Sequence, residues 1–127
     1  MPDQTEITAQ DASEKLRGDL RMFDGTAQWY RHPFNSNLLY TDGTKFFAEK
    51  AGAYWFLDIV ATELADLMET EEFMVIALNV KSMSATITAG DGNGNDLWQR
   101  DIDFTDAPDG VWKFFFANNV LYLPSEH

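Results

Sequence analysis

The residue types best suited to chemistry are concentrated in one aromatic stretch and in the strand and turn that follow it. They are Trp29, Tyr30, Arg31, His32, Tyr40 and Asp42. A histidine such as His32 can act as a general base when a carboxylate such as Asp42 orients its ring, and Arg31 can hold an anion. Aromatic residues at a strand end also commonly pack against a core. The stretch is therefore compatible with packing, with a partner- or ligand-binding patch, or with catalysis, and catalysis needs these side chains to converge in a pocket.

The rest of the chain supplies little catalytic machinery. It contains no cysteine, which excludes disulfides, thiol catalysis and cysteine-ligated metal sites. Its two histidines, His32 and His127, are too few for a multi-histidine metal site. No serine lies in a nucleophile-elbow context, and no glycine-rich segment continues into the lysine and helix of a phosphate-binding loop. We therefore predict a protein that is not an enzyme and that uses no metal and no cofactor.

One stretch, residues 89–97, has the composition of a calcium-binding loop, because three glycines alternate there with acidic and amide residues from Asp91 onward. An EF-hand loop needs glycine at its sixth position and a bidentate glutamate at its twelfth. Counted from Asp91, these positions hold Asp96 and Ile102. The flanking segments alternate in polarity as strands do, so we predict a hairpin turn with at most a weak surface cation site.

The chain is strongly acidic, with a formal net charge of −12 from 21 acidic and 9 basic residues. Such a charge repels phosphates and anionic lipids, so we predict no direct nucleic-acid binding and no membrane association. A basic protein surface is the favoured partner, although acidity also serves solubility. The first residues do not have the pattern of a signal peptide, and no apolar run has the length of a membrane span. A cytoplasmic location is therefore expected.

Part of this charge is concentrated between Ala51 and Val80, where the sequence has six carboxylates and no lysine or arginine. They are Asp58, Glu63, Asp66, Glu69, Glu71 and Glu72. Helical spacing is expected to bring several of them onto one solvent-facing side. This side is either a solvated face or a surface that fits a cationic groove in a partner protein. A second acidic group comprises Asp101, Asp103, Asp106 and Asp109. It extends the negative electrostatic field of the first group if the two groups meet in space.

The pattern of apolar residues predicts one α+β domain over residues 1–127, with residues 1–10 flexible. A short N-terminal helix is expected to begin near Asp11 and to end at Gly25. One long amphipathic helix is expected over residues 53–68, because its apolar residues repeat at helical spacing.

Strands are expected before and after the long helix, in a mainly antiparallel sheet that packs against it. Asp42 and Gly43 stand between two apolar runs, which predicts a hairpin turn there. After the helix, apolar or alternating runs separated by turn residues predict a meander. The expected strands are residues 28–32, 37–40, 44–50, 73–80, 82–89, 98–104, 111–116 and 120–123.

Six short motifs occur together in this chain. They are Gln28–His32, Leu39–Gly43, Ala53–Trp55 with Asp58, Asp91–Gly94, Ala117–Val120 and Leu123–Glu126. With these motifs the chain resembles a small uncharacterised family of acidic proteins from bacteria, phages and plasmid-like elements. The resemblance covers roughly residues 26–127 and implies a setting on mobile genetic elements. Because the family has no established activity, the resemblance implies no catalytic residue.

Charge, the lack of catalytic groups and this resemblance together favour a non-enzymatic acidic protein-binding module of a mobile element. Such a module inhibits a host defence or nucleic-acid-handling protein by engaging its basic surface, as a nucleic-acid mimic of the anti-CRISPR or anti-restriction type does. One alternative is a small-ligand-binding protein or enzyme that uses the Tyr30–Asp42 region. The other is a structural subunit, including a homo-oligomer.

Overall fold

The computed structural model describes the backbone of residues 4–127 and the side chains of residues 11–127. Three α-helices precede most of the sheet: α1 Gln4–Leu20, α2 Asp42–Ala51 and α3 Tyr54–Ile59. Of the segment expected to be flexible, residues 1–3 lie outside the described residues and residues 4–10 begin helix α1. The predicted α+β fold is confirmed.

The strands form a single sheet. They are β1 Trp29–Arg31, β2 Leu39–Thr41, β3 Phe73–Lys81, β4 Ser84–Gly90, β5 Asp96–Ile102, β6 Gly110–Ala117 and β7 Val120–Tyr122. Their spatial order is β1-β2-β7-β6-β3-β4-β5. All neighbouring strands are antiparallel except β2 and β7, which are parallel. The mainly antiparallel sheet is therefore confirmed, and the strands expected after residue 72 are present with small shifts at their ends.

The helices pack on one face of this sheet. Alternate residues of β3, from Met74 to Val80, are buried on that face, as the period of two along a strand requires. Three phenylalanine rings form the centre of the core: Phe47 of α2 and Phe56 of α3 each lie 5.0 Å from the ring of Phe114 in β6. Burial of these aromatic side chains stabilises the packing of the helices on the sheet.

The other face of the sheet carries half-buried rather than fully buried side chains. Phe73 and Val75 of β3 lie on this open face beside Phe115 of β6. The rings of Phe73 and Phe115 are 5.1 Å apart, and Tyr122 of β7 packs edge-on against Phe115. The apolar residues on both faces of β3 therefore reflect a core on one side and an aromatic row on the other.

The N-terminal helix differs from its prediction at both ends. It begins at Gln4 instead of Asp11, and it ends at Leu20 instead of Gly25. Its apolar side is anchored by the buried side chain of Leu16, and the guanidinium of Arg17 lies 4.5 Å from the centre of the Trp112 ring. The earlier start shows that helix propensity continues through polar residues that carry no apolar stripe.

The predicted hairpin turn at Asp42 and Gly43 is wrong, because these residues begin helix α2. Thr41 ends β2 in an extended conformation, and its side chain accepts a hydrogen bond from the N–H of Thr44, as an N-cap does. An aspartate in the first helical turn is also favoured by the helix dipole. Residues 41–44 therefore fit both a hairpin turn and the start of a helix, and burial of Phe47 against the sheet favours the helix.

The single long helix expected over residues 53–68 is also not observed as one regular element. The chain is helical from Tyr54 to Glu69, but α3 is followed by a π-helical turn, Val60–Leu64, and a 3-10 turn, Ala65–Glu69. The Thr62 hydroxyl donates to the carbonyl of Asp58 at 2.8 Å, which competes with regular helix bonding. The apolar stripe is nevertheless buried against the core, including Phe56, Val60 and Leu64.

Two glycines in helices offer a direct test of how tightly α2 is packed. A Cβ on Gly43 would lie 2.5 Å from Leu123 Cδ1 and 2.7 Å from Glu126 Oε1, whereas nothing lies within 4 Å of the corresponding position at Gly18. We predict that Gly43→Ala lowers the free energy of unfolding by about 1–3 kcal/mol through overpacking. Gly18→Ala is the control and is expected to raise it by about 0.5–1 kcal/mol. Urea titrations measure both, and equal effects of the two substitutions would contradict the close packing.

Candidate functional site

His32 has a structural role in this fold. Its ring is buried, and Nδ1 accepts hydrogen bonds from the backbone N–H groups of Phe34 and Asn35, at 3.1 and 3.2 Å. Nδ1 is therefore unprotonated, and in the neutral ring the proton is on Nε2, which donates to Asp58 Oδ1 at 2.8 Å. The expected pairing of His32 with Asp42 is wrong, because the carboxylate that binds His32 is Asp58 of α3.

Asp42 holds the segment that precedes β1. Its carboxylate accepts hydrogen bonds from the backbone N–H of Ala27 at 2.8 Å, from the hydroxyl of Tyr30 at 2.9 Å and from the N–H of Gln28 at 3.4 Å. These donors, with Ala27 the largest contributor, lower the pKa of Asp42 below its ordinary value. The Asp42 carboxylate therefore holds the segment before β1, and the carboxylate that binds His32 is a different one.

The other members of the aromatic stretch point to different places. Tyr40 is buried and stacks against Tyr30 with ring centres 5.7 Å apart. The guanidinium of Arg31 donates to the carbonyl of Ser36 at 2.9 Å. Trp29 is 59% exposed and borders a shallow hollow of about 270 Å³ on the open face of the sheet. The six residues expected to form a site therefore do not converge on one pocket. They are Trp29, Tyr30, Arg31, His32, Tyr40 and Asp42.

Two of the six carboxylates expected to form an acidic surface are occupied within the fold. Asp58 accepts the hydrogen bond from His32, and Glu63 forms an ion pair with Arg100 of β5. The other four, Asp66, Glu69, Glu71 and Glu72, form no ion pair with any described residue. These four lie in the 3-10 turn and the short connection that lead into β3.

Strand pairing brings two further carboxylates to the same end of the sheet. Val75, near the start of β3, pairs with Gly90 at the end of β4, so the turn that joins β4 to β5 lies beside the connection before β3. This turn carries Asp91, and Asp96 follows it as the first residue of β5. The surface made by all these residues is called the acidic end below; it comprises Asp66, Glu69, Glu71, Glu72, Asp91 and Asp96.

The second acidic group does not join the acidic end. Strand β5 runs from Asp96 at that end to Ile102 at the other, and it has seven residues, a length of about 20 Å. Residues 103–109 follow the far end of β5 and precede Gly110, where β6 begins. Three members of the second group lie in this connection and the fourth, Asp101, pairs with Thr86 of β4. The sequence left open whether the two groups meet in space, and the strand order places them at opposite ends of the sheet.

A polar cleft of about 340 Å³ opens at the acidic end. Its walls include Asp66 and Glu69 together with the asparagines Asn35, Asn37 and Asn119. The amide of Asn35 is fixed, since it donates to the carbonyl of Ala61 at 3.0 Å and accepts from the N–H of Asn37 at 3.1 Å. The cleft therefore presents carboxylate and amide oxygens, which suit a cationic or hydrogen-bond-donating group.

The glycine-rich stretch is a hairpin turn, as predicted. Gly92 and Gly94 have φ values of 82° and 90°, which glycine adopts without strain. The carboxylate of Asp91 accepts hydrogen bonds from the Asn95 side chain and from the backbone N–H of Asn93, both at 2.8 Å, and these lower the pKa of Asp91. Among the side chains of residues 11–127, no cluster of three or more histidine, cysteine or acidic groups could hold a metal ion.

Sequence reasoning missed Asn35, Asn37, Asn119, Asp91 and Asp96 as neighbours of the acidic residues. Each stands next to a turn signal, but their proximity depends on long-range strand pairing. The pairing of β3 with β4 brings Asp91 beside the connection before β3, and the parallel pairing of β2 with β7 places Asn119 beside Leu39. The β4–β5 hairpin, which the sequence does predict, places Asp91 and Asp96 at one end of that strand pair but does not show that the connection before β3 lies beside them.

The chain belongs to DUF6876, a family of unknown function, whose model matches residues 14–127. The resemblance to an uncharacterised family is therefore confirmed, and the match begins earlier than the motifs suggested. No curated protein and no solved structure matches the chain. Within the described part of the chain, none of the helices combines the length and apolarity needed to cross a membrane.

The structural role of His32 predicts both a tautomer and a stability effect. Nitrogen-detected NMR of the neutral ring should show the proton on Nε2, because Nδ1 is an acceptor. His32→Leu is expected to lower the free energy of unfolding by about 1–3 kcal/mol, since two backbone N–H groups lose their acceptor. His127→Leu, at the exposed second histidine, is the control and should have a smaller effect. A proton on Nδ1 would contradict this assignment.

The lowered pKa of Asp42 predicts a pH-dependent contribution to stability. Because the pKa is lower in the folded than in the unfolded chain, the carboxylate stabilises the fold above the ordinary aspartate pKa of about 4. That contribution is lost as pH falls through the folded-state pKa. The difference in free energy of unfolding between the natural chain and Asp42→Asn, measured in urea from about pH 7 to about pH 2.5, should therefore shrink as the pH falls. Asp103→Asn is the control, and a difference that grows on acidification would contradict the prediction.

Proposed function

We propose that this member of the family is a non-enzymatic protein-binding module that uses its acidic end to engage a basic surface of another protein. The observation that carries the proposal is the grouping of carboxylates at one end of the sheet. Four of them, in residues 66–72, have no ion-pair partner among the described residues. Such an end attracts cationic surfaces during diffusional encounter and disfavours anionic ones.

The partner that best fits this chemistry is a host protein whose basic groove normally holds nucleic acid. Carboxylates of the acidic end can replace phosphates against lysine and arginine side chains, and the oxygens of Asn35, Asn37 and Asn119 add acceptors beside them. A chain from a phage or plasmid-like element would gain from blocking such a host defence protein, as anti-CRISPR and anti-restriction proteins do. This action would take place in the cytoplasm.

The alternative use of the Tyr30–Asp42 region as a ligand-binding or catalytic site has less support. His32 is buried, Asp42 is engaged by a loop, and Trp29 faces a different part of the surface. These positions give little support to a site in which a substrate would contact a general base and an anion-binding group together.

The proposal is tested by capture from bacterial lysate followed by competition. The tagged chain is incubated at about 0.05 M and about 0.5 M salt, because screening by added salt weakens contacts between charged surfaces. Captured proteins are identified by mass spectrometry, and duplex DNA is then added to the washed beads. We expect low-salt capture of a nucleic-acid-binding protein that duplex DNA displaces.

The variants separate the acidic end from the total charge. Asp66→Lys, Glu69→Lys and Glu72→Lys are combined in one chain and should reduce capture by at least about tenfold. The control combines Asp103→Lys, Asp106→Lys and Asp109→Lys, which changes the net charge equally at the other end of the sheet, and should retain capture. Equal loss in both variants, capture that DNA does not displace, or no capture at all would each refute the proposal.

A further inference from the structure

A further cavity lies in the helical layer of the described structure, away from the acidic end. It is a cleft of about 580 Å³ between α1 and α2. This volume is within the range of about 300–1,000 Å³ that small-molecule sites occupy. The cleft takes no part in the proposed function, so an inference about it stands independently of that function.

The floor of the cleft is apolar. It is formed by the buried side chain of Leu16 and by the rings of Phe23 and Phe46, which lie 5.2 Å apart. Met22 lines the cleft and is 82% exposed, which places it among the most exposed large apolar residues of the described chain. An apolar floor with a flexible apolar side chain beside it gains stability when a hydrocarbon group covers both.

The polar groups of the cleft are mainly cationic, which is unusual in a chain of net charge −12. Lys15 and Lys50 line the cleft with one carboxylate, Asp19. Neither lysine forms an ion pair with another described residue, and the ammonium of Lys50 lies 5.6 Å from the centre of the Phe46 ring. The local balance therefore favours an anion whose charge lies close to the apolar floor.

We propose that the cleft between α1 and α2 binds a small molecule with a hydrocarbon body and one carboxylate. The hydrocarbon body covers Leu16, Phe23 and Phe46, and the carboxylate lies between Lys15 and Lys50. A neutral molecule of the same shape gains the apolar contact alone, while a cationic one meets two like charges. The site thus selects by charge after it selects by shape.

The test uses decanoate, decanol and decyltrimethylammonium as probes, each at concentrations well below micelle formation. Isothermal titration calorimetry with the full chain should show decanoate binding on the order of tenfold more tightly than decanol, since two exposed ion pairs together provide up to about this factor. The cationic probe should bind most weakly. Equal affinities of decanoate and decanol, or no detectable binding of decanoate, would overturn the proposal.

Three variants locate the site. Ala12→Phe places a ring in the cleft and should abolish binding of all three probes. Lys15→Gln combined with Lys50→Gln should remove the preference for decanoate while decanol still binds. The control combines Lys81→Gln and Lys113→Gln, which removes the same charge from the sheet, and it should leave the preference unchanged.

A different occupant would also be detected. If light scattering finds a dimer that Ala12→Phe converts to a monomer, a second copy of the chain fills the cleft and the proposal is wrong. If the control variant loses the decanoate preference as fully as the cleft variant does, the preference reflects net charge alone and the proposal is likewise wrong.

Discussion

The start of helix α2 is the point on which the rest of the fold depends. The first N–H groups of a helix have no partner within it, and here the N–H of Asp42 donates to the Thr26 hydroxyl and that of Gly43 to Glu126. The carboxylate of Glu126 accepts hydrogen bonds from the Thr41 hydroxyl at 2.6 Å, from the N–H of Gly43 at 3.1 Å and from the N–H of Leu123 at 3.0 Å. Asp42 binds the segment before β1 at the same place. One helix end thereby fixes β1, β2 and β7 relative to the core strands.

This arrangement gives a physical meaning to the motifs that mark the family resemblance. Gln28–His32 and Leu39–Gly43 meet through Asp42, and Leu123–Glu126 packs onto Gly43 because only a residue without a side chain fits there. Asn118 and Asn119 adopt positive φ in the turn between β6 and β7, and Asp91 closes the turn after β4. The motifs that meet at Asp42, at Gly43 and at these two turns therefore have structural roles in this chain.

The parts of the fold that sequence predicts well are those set by local periodicity. Strand β3, the β4–β5 hairpin and the turn at Asn118 follow from alternation and from residues that tolerate positive φ. The helical start at Asp42 is not predictable in this way, because Thr41 to Thr44 carries both a hairpin and an N-cap signal. Contacts with Glu126, more than eighty positions away, decide between them. The π-helical turn after α3 is likewise invisible to a pattern that only separates apolar from polar residues.

The candidate site depends on where the cations of the chain lie. Five of the nine lysines and arginines fall in α1, just after it, or in α2. Arg17 lies over Trp112 and next to Gly110, where β6 begins, which is the end of the sheet opposite the acidic end. The length of β5, about 20 Å, is about two Debye lengths at 0.1 M salt, so such a cation offsets little of the charge at residues 66–72. Residues 103–109 share their end of the sheet with Arg17, whereas the carboxylates of residues 66–72 form no ion pair with any described residue. The electrostatic field of the chain is therefore uneven, and the topology is the reason. Arg17 lies at one end of the sheet and the carboxylates of residues 66–72 lie at the other.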